Sequence, residues 1–143
     1  MTVRLSGVAF DPWQELSQQQ ASLPKGKPGA CASFVGTMRD FNLGDSVRSM
    51  TLEHYPEMTQ HFLDTTVAVA CSRWDLVDCL VVHRYGNIMP GDAIVLIAVW
   101  SSHRAEAFDA CRFLIEELKA RAPFWKKETT DSSTRWVHDT LAD

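Results

Sequence analysis

The stretch Ala93-Ile-Val-Leu-Ile-Ala-Val-Trp100, followed directly by Ser101-Ser-His-Arg104, decides the fold of this chain. An uninterrupted apolar run of this length predicts a strand that is buried on both faces, near the middle of a sheet. Ser101 and Ser102 are of a residue type that caps helix N-termini, so one of them is the predicted N-cap, and an apolar stripe at helical spacing follows as far as Leu118. Pro123 then ends the helix. The sequence therefore predicts a central strand that leads into a long helix.

Polar and turn-forming residues divide the rest of the chain into further strands. The connection over 39–45 contains Asn, Gly and Asp, which predicts a mobile loop. Alternating apolar residues or a β-forming composition mark the segments between such turns. The predicted strands are 30–37, 47–54, 77–84, 93–100, 124–130 and 133–138.

Two main helices separate these strands in pairs. One is the helix after Ser101. The other begins at Pro56, because proline suits a first helical turn, and runs to about Arg73. The resulting order, β-β-α-β-β-α-β-β, predicts an α+β fold in which helices cover one face of a mostly antiparallel sheet. A length of 143 residues predicts a single domain over residues 1–143.

Composition and charge argue against several classes of protein. A net charge of -4 and a pI of about 5.7 do not fit a general nucleic-acid binder. The chain has no apolar run long enough to span a membrane and no apolar leader at its N-terminus. The four cysteines form no C-x-x-C pair. Each is therefore predicted to be a buried, reduced thiol, and the chain is predicted to be cytoplasmic.

The segment Lys119-Ala-Arg-Ala-Pro-Phe-Trp-Lys-Lys127 concentrates positive charge on an acidic chain. Such a local cluster predicts a site for an anion, and its proline and aromatic residues predict a shaped wall around that charge. Lys126 and Lys127 are adjacent on a predicted strand, so at most one of them faces the pocket. The simpler alternative for Lys119 is that it stabilises the C-terminus of its helix through the helix dipole.

A second candidate anion site lies at the start of the same helix. His103 and Arg104 stand beside backbone amides that have no partner within the helix, which favours a phosphate; a solvated helix end is the simpler alternative. A helix of about sixteen residues is roughly 24 Å long, so it cannot by itself bring His103 to Lys119. Either the strand after the helix returns Lys126 to the His103 end, or there are two sites, or a second subunit completes the pocket.

Arg39 is the third candidate, since it follows a predicted strand that contains Gly36 near its end. An arginine in this position can point into a cleft, or it can pair at the surface with Asp40 or Asp45. His54 is predicted to be a satisfied, partly buried histidine. No pair of histidines with a third ligand nearby predicts a metal site, and neither a nucleophile elbow nor a P-loop is present.

Several long motifs together resemble the large, catalytic subunit of molybdopterin synthase. They cover roughly residues 30 to 137 in a family-like order and spacing. The motifs include Phe34-Val-Gly-Thr-Met-Arg-Asp, Leu52-Glu-His-Tyr-Pro, Val82-His-Arg-Tyr-Gly, Ser102-His-Arg and Leu118-Lys-Ala-Arg-Ala-Pro-Phe-Trp-Lys-Lys-Glu. For the fold, the resemblance implies an α/β hammerhead-like architecture with an added β-rich subdomain.

The resemblance also implies an activity in molybdenum cofactor biosynthesis. A sulfurtransferase of this family converts cyclic pyranopterin monophosphate (precursor Z) to molybdopterin by adding two dithiolene sulfurs. The sulfur arrives as a thiocarboxylate on the C-terminal Gly-Gly of a small ubiquitin-like partner subunit. The large subunit forms a homodimer within a heterotetramer. No cofactor and no metal are expected.

Site residues follow from the resemblance by matching motif. The resemblance implies that Lys119 and Lys126 are the catalytic lysines. The residues that it implies for binding phosphate or pterin, for lining the site or for orienting Lys126 are Arg39, His103, Arg104, Phe34 and Glu128. Of these, Phe34 would line the site and Glu128 would help to orient Lys126.

Two other functions remain open at this point. One is a non-catalytic module that docks a ubiquitin-like tail or a phosphorylated ligand in a sulfur-carrier pathway. Such a module would need Arg39 and the pair His103-Arg104, but not both lysines. The other is a small hydrolase that acts on a phosphorylated or thioester substrate with a lysine or a histidine as its base.

Overall fold

The computed structural model describes residues 1–137. In chain order its elements are β1 (Thr2–Ser6), α1 (Pro12–Ala21), β2 (Ala30–Thr37), β3 (Phe41–Asn42), β4 (Asp45–His54), α2 (Pro56–Arg73), β5 (Leu76–Arg84), β6 (Gly86–Ile88), β7 (Ala93–Ser101), α3 (Arg104–Arg121), β8 (Phe124–Thr130) and β9 (Thr134–Val137). These helices and largely antiparallel strands confirm the α+β class. Within the described range, no helix has both the length and the hydropathy that crossing a membrane requires.

The strand β7 lies inside a four-stranded sheet with the order β1-β5-β7-β2. It pairs antiparallel with β5 on one side and with β2 on the other, so that Ile97 lies opposite both Val81 and Phe34. Leu96 and Ile97 are fully buried, as expected for a strand that is covered on both faces. The predicted central strand is therefore confirmed. β1, which was not predicted, pairs in parallel with β5 at the edge of the sheet.

One face of this sheet is covered by the two predicted helices, α2 and α3. Leu63 of α2 and Leu114 of α3 are fully buried and form the main core with Val81 and Ile97 of the sheet. Burying an apolar side chain of this size stabilises the fold by about 2 kcal/mol. The apolar stripes of these helices are thus what holds them on the sheet.

The opposite face is covered by α1, where no helix was predicted. Leu16 of α1 packs there against a second set of buried sheet residues that includes Trp100. Pro12 occupies the first turn, and Asp11 Oδ1 accepts hydrogen bonds from two backbone amides of that turn at 3.0 and 3.3 Å. The Asp-Pro start is a usable signal for a helix. The residues after it are mostly polar, so the apolar stripe that predicts a helix is weak.

The start of α3 differs from the prediction, because neither Ser101 nor Ser102 is its N-cap. Ser101 is the last residue of β7, and the helix begins at Arg104 after His103, whose backbone is extended. The Ser101 hydroxyl instead donates a hydrogen bond to the His103 carbonyl at 2.5 Å. The serine therefore holds the connection between strand and helix, and the His103 side chain makes no capping hydrogen bond.

A second sheet has the order β3-β4-β8-β9, with β6 also paired to β4. β8 and β9 form the predicted hairpin, although its predicted last residue, His138, lies outside the described residues. This sheet has a small apolar core of its own, and it corresponds to the β-rich addition that the resemblance implies. The buried members of that core are Met38, Val47, Met50, Leu52 and Ile88.

Part of the segment 39–45, predicted as a mobile loop, forms a β-hairpin. Phe41 pairs with Ser46 across β3 and β4, and the turn residues Leu43 and Gly44 have φ values of 52° and 83°. Positive φ at both central residues is typical of a type I′ turn, whose twist matches that of the two strands. Such a turn favours Asn where this chain has Leu43, so the sequence does not reveal the hairpin.

A β-bulge interrupts the alternation that was predicted over 47–54. The register between β4 and β8 shifts between Val47 and Ser49. Because of the extra residue, Val47 faces the same core as Met50 and Leu52. A strict period of two over 47–54 predicts that Val47 faces away from Met50 and Leu52, and at this residue that prediction is wrong.

Candidate functional site

A cavity of about 410 Å³ opens where the two sheets meet. Its walls come from β2, β5 and β7 of the first sheet, from β3, β4 and β8 of the second, and from the end of α3. Apolar side chains make up much of the wall, and the charged groups are few. The lining residues used below are Phe34, Arg39, His83, Leu118, Lys119, Phe124, Lys126 and Glu128.

Three cationic side chains from three segments of the chain line this cavity: Arg39, Lys119 and Lys126. Arg39 follows β2, Lys119 lies in the last turn of α3, and Lys126 lies on β8. Like charges at one site favour an anionic ligand, and an apolar wall strengthens that attraction because it excludes water. The predicted basic, aromatic-lined pocket is therefore present in the structure.

A tight reversal after α3 brings Lys126 back beside Lys119. The Ala122 amide donates to the Leu118 carbonyl at 3.0 Å, and the Phe124 amide donates to the Ala122 carbonyl at 2.8 Å. Pro123 has no amide hydrogen to continue the helix, so the chain turns into β8 at this point. Two lysines that are seven positions apart in sequence thus line one cavity.

The two adjacent lysines of β8 lie on opposite faces of the strand, as predicted. Lys126 lines the cavity. The Lys127 ammonium instead lies over the ring of Trp136 on β9, 5.5 Å from its centroid. Period-two alternation on a strand accounts for this difference.

Glu128 is a buried carboxylate on the cavity wall, with only 3% of its surface exposed. Its two oxygens accept hydrogen bonds from Asn42 Nδ2 at 3.1 and 3.0 Å, and Oε1 also accepts one from Arg135 Nε at 3.3 Å. Lys126 is two residues earlier on the same strand and therefore shares its face. These contacts fix the carboxylate and tie the cavity wall to the β3–β4 hairpin.

His103 and Arg104 do not belong to the set of residues that line this cavity. They lie at the opposite end of α3, which contains 18 residues from Arg104 to Arg121. At 1.5 Å per residue, Arg104 and Lys119 are separated by about 22 Å along the helix axis. Since Lys126 lies at the Lys119 end, the strand after α3 does not return it to His103. Two sites, or a second subunit that completes one site, remain.

Sequence reasoning assigned no role to His83, which also lines the cavity and is only 7% exposed. Its ring stacks on Phe124 with centroids 4.1 Å apart and an interplanar angle of 15°. The pKa of His83 is lowered to about 4, mainly by burial and also by the nearby Lys119 and His54, against the effect of a hydrogen bond to the Arg84 carbonyl. Alternation along β5 could have predicted that the side chain of His83 faces inward, because it places His83 on the same face as the buried Val81.

His54 is partly buried and satisfied, as predicted. Its Nδ1 lies 3.2 Å from Thr59 Oγ1, and its ring packs against Tyr85 with centroids 4.4 Å apart. Burial lowers the pKa of His54 below its usual range. It is not among the residues that line the cavity.

The cysteines lie outside the cavity. Cys79 and Cys111 are buried, Cys71 is partly buried and Cys31 is exposed, so the prediction of a buried thiol is wrong for Cys31. Burial raises the pKa of Cys79 to about 12 and that of Cys111 to about 11, so both remain protonated at neutral pH. Among residues 1–137, no three His, Cys, Asp or Glu side chains are grouped as metal ligands.

The fold and the cavity define a class of protein: a small α+β protein with a basic cavity between two sheets, whose charge suits an anionic ligand. Residues 9–121 match the profile of a family described as MoaE protein. The chain therefore belongs to the MoaE family. This finding confirms the resemblance that the sequence motifs indicated.

Similarity to known members extends over the whole chain. A molybdopterin synthase catalytic subunit from Ralstonia nicotianae is 50% identical over 144 aligned residues, which cover 99% of this chain and 80% of that protein. Another from Pseudomonas aeruginosa is 46% identical and covers 100% of this chain and 94% of that protein. The solved structure of a molybdopterin biosynthesis MoaE protein from Burkholderia ambifaria has a TM-score of 0.81 and 44% identity, covering 99% of this chain and 92% of that chain.

Proposed function

We propose that this chain is the catalytic subunit of a molybdopterin synthase, which adds two dithiolene sulfurs to cyclic pyranopterin monophosphate. The observation that carries the proposal is the convergence of Arg39, Lys119 and Lys126 on one cavity of about 410 Å³. That volume lies within the range of small-molecule sites. Cations suit the phosphate of this substrate, and apolar and aromatic walls suit its ring system.

An external donor supplies the sulfur in this proposal. The cysteines with the most strongly raised pKa, Cys79 and Cys111, are buried away from the cavity, so a persulfide route through them has no support. A thiocarboxylate at the Gly-Gly terminus of a small ubiquitin-like partner is an anion on a narrow tail. A basic cavity suits such an anion. The chain needs neither a cofactor nor a metal for this chemistry.

The charged residues of the cavity take separate roles. Arg39 holds the phosphate, since a guanidinium makes paired hydrogen bonds to such oxygens. Lys119 acts next to the tail and the carbon that sulfur attacks, and Lys126 stabilises negative charge or moves protons during ring opening and phosphate loss. Phe34 lines the pterin side of the cavity. Glu128 orients Lys126 from the same face of β8.

A second copy of the chain supplies His103 and Arg104. Because these residues lie about 22 Å from Lys119 along α3, they serve the cavity of a neighbouring subunit in a homodimer. One small partner subunit docks on each copy to complete a heterotetramer. The cytoplasm is the proposed location, and the unpaired state of Cys31, Cys71, Cys79 and Cys111 supports a reducing compartment.

Reconstitution tests the proposal. Purified chain, thiocarboxylated partner and cyclic pyranopterin monophosphate are mixed, and the product is measured as the fluorescent oxidation product of molybdopterin. We expect Lys119→Ala to lower the rate of conversion by about 100-fold or more, while the affinity for the partner changes little. Lys127→Ala is the matched control, because its ammonium lies on Trp136 outside the cavity.

Each alternative function makes a different prediction in the same assay. If this chain only docks a tail or a phosphorylated ligand, conversion continues at the normal rate when Lys119 is replaced. If it is a hydrolase, the substrate is turned over without any partner protein. Either result would overturn the proposal.

A further inference from the structure

The histidine on the cavity wall is held in one orientation by two contacts. His83 Nδ1 lies 2.8 Å from the Arg84 carbonyl oxygen. A carbonyl oxygen only accepts hydrogen bonds, so Nδ1 carries the hydrogen and donates it. The stack on Phe124 fixes the plane of the ring. Nε2, on the other edge of the ring, is therefore left with a lone pair that can accept a hydrogen bond.

The surroundings keep this ring neutral. Burial is the main reason, and the charged or titratable groups that act on His83 from other elements are Lys119 of α3 and His54 of β4, both of which oppose a positive charge. Arg39 and Lys126 line the same cavity and have the same sign as Lys119. The Arg84 carbonyl favours a protonated ring, as would the carboxylate on the same cavity wall, that of Glu128. His83 thus presents an acceptor nitrogen to a cavity rich in donors.

We propose that His83 is a positioning residue of this site, whose Nε2 accepts a hydrogen bond from the Lys119 ammonium and aims that ammonium at the reacting groups. This inference rests on the function proposed above and adds to it. A lysine ammonium ends a flexible stem with three donors, so a fixed acceptor on the cavity wall selects one of its rotamers. Correct orientation of this kind governs the rate of a step more than the affinity for substrate.

The alternative role of general base is disfavoured by the chemistry of the ring. A base is most effective when its pKa lies near the working pH. The pKa of His83, lowered by burial to about 4, makes the imidazole too weak for that task at neutral pH. The same low value makes it a dependable acceptor, because the ring does not gain a proton in the working range.

Two substitutions separate the acceptor from the rest of the side chain. In His83→Asn the amide can still donate to the Arg84 carbonyl, but nothing occupies the position of Nε2. In His83→Gln the longer side chain can place an oxygen acceptor there. We expect His83→Asn to lower kcat by roughly 10- to 100-fold, with KM for the pterin and affinity for the partner changed less than about twofold. His83→Gln should recover most of the lost kcat.

The control is His54→Asn, which removes a histidine that also packs against Phe124 but does not line the cavity. We expect it to leave kcat unchanged. If His83→Asn and His83→Gln lower kcat equally, if KM changes instead of kcat, or if the control is equally impaired, His83 does not position Lys119.

Nitrogen NMR of the histidine rings tests the proposed hydrogen bond between His83 and Lys119 without an activity assay. We expect His83 to show the neutral form with hydrogen on Nδ1 from pH 8 to pH 5, and its Nε2 signal to move in Lys119→Met but not in Lys127→Met. Hydrogen on Nε2, or a signal that ignores Lys119, would overturn the inference even if a His83 variant failed to fold. Absence of product with the unchanged protein would overturn the proposed function alone, since the NMR result stands without it.

Discussion

The cavity depends on a small number of residues whose charge state is set by their neighbours. His83 is kept neutral mainly by burial, while the Glu128 carboxylate accepts hydrogen bonds from Asn42 and Arg135. The site therefore combines cations, one buried carboxylate and one neutral ring. Because a buried neutral histidine resists protonation, the stability of the fold depends on pH.

The neutral state of His83 predicts that the fold weakens in mild acid. The pKa of His83 is about 4 in the folded protein, against 6.5 for an unperturbed histidine. Below pH 6.5 the unfolded chain binds a proton that the folded protein does not, so stability is lost as the pH falls toward 4. We expect this residue to lower the free energy of unfolding by about 2 kcal/mol between pH 7 and pH 5. Urea unfolding at the two pH values measures it.

The matched variants are His83→Asn and His61→Asn, the second of which changes an exposed histidine of α2. The first should remove about 2 kcal/mol of the difference between the two pH values, and the second should leave that difference unchanged. Equal pH dependence in all three proteins would show that His83 is not held neutral by the fold.

Single residues were predictable where strand alternation decides their direction. Lys126 and Lys127 follow from that rule, and His83 follows from it as well once β5 is assigned. The stack of His83 on Phe124 could not be predicted. It depends on how β8 pairs with β4 across the second sheet, and that pairing joins segments far apart in the chain.

The connections between elements are as important to the site as the elements themselves. α3 ends at Arg121 and β8 begins at Phe124, so a short turn sets the distance between Lys119 and Lys126. At the other end of α3, the Gly29 amide donates to the Ser101 carbonyl at 2.9 Å. The entry of β2 and the exit of β7 are therefore packed backbone to backbone.

This close approach predicts that Gly29 tolerates no side chain. A Cβ added there would lie 2.1 Å from the Ser102 carbonyl oxygen. Since that oxygen belongs to the backbone, the connection into α3 would have to move. We expect Gly29→Ala to lower the free energy of unfolding by roughly 3 kcal/mol, measured by chemical denaturation.

Gly26→Ala provides the comparison, because Gly26 has no atom within 4 Å of an added Cβ but has a φ of 84°. Its cost should come from the backbone alone, at about 1 kcal/mol. If Gly29→Ala costs no more than Gly26→Ala, the crowding at Ser102 is relieved at little expense and the argument fails.

At the scale of elements, the apolar patterns of β7, α2 and α3 were sufficient to predict them. α1 was missed because its few apolar residues hide the helical period, although Asp11-Pro12 marks its start. The β3–β4 hairpin was missed because Leu43 occupies a turn position with positive φ, which is uncommon for this residue type. Tertiary pairing overrides local preference at such positions.

The whole molecule is two sheets with the cavity at their junction. The sequence motifs were sufficient to predict the family, the α+β class and the residues Lys119, Lys126, Arg39, Phe34 and Glu128 as neighbours of one pocket. The enclosure of that pocket depends on contacts between the sheets, which no local pattern encodes. His103 and Arg104 lie outside this pocket, and the proposal that a second copy of the chain brings them to it needs a test of its own.

Mixing two inactive variants tests the proposed role of a second copy. One variant is Lys119→Ala and the other is Arg104→Ala. If Arg104 serves the cavity of the neighbouring subunit, a mixed dimer contains one cavity with both residues intact. Random mixing should then restore about a quarter of the normal activity, because half of the dimers are mixed and each has one intact cavity.

The result is different if Arg104 acts within its own chain. In that case every cavity in the mixture lacks one of the two residues, and refolding the variants together restores nothing. Each variant refolded alone supplies the baseline. Full activity of Arg104→Ala alone would remove this residue from the site.

Phe124 has a consequence for how loss-of-function variants should be interpreted. It packs against the small core of the second sheet and stacks on His83 of the first. One ring therefore joins the two sheets and also forms part of the cavity wall. A screen that measures only loss of activity would not separate variants with impaired catalysis from variants that fold poorly at this position. Genetic damage there will be traced correctly only when protein abundance and turnover are recorded side by side.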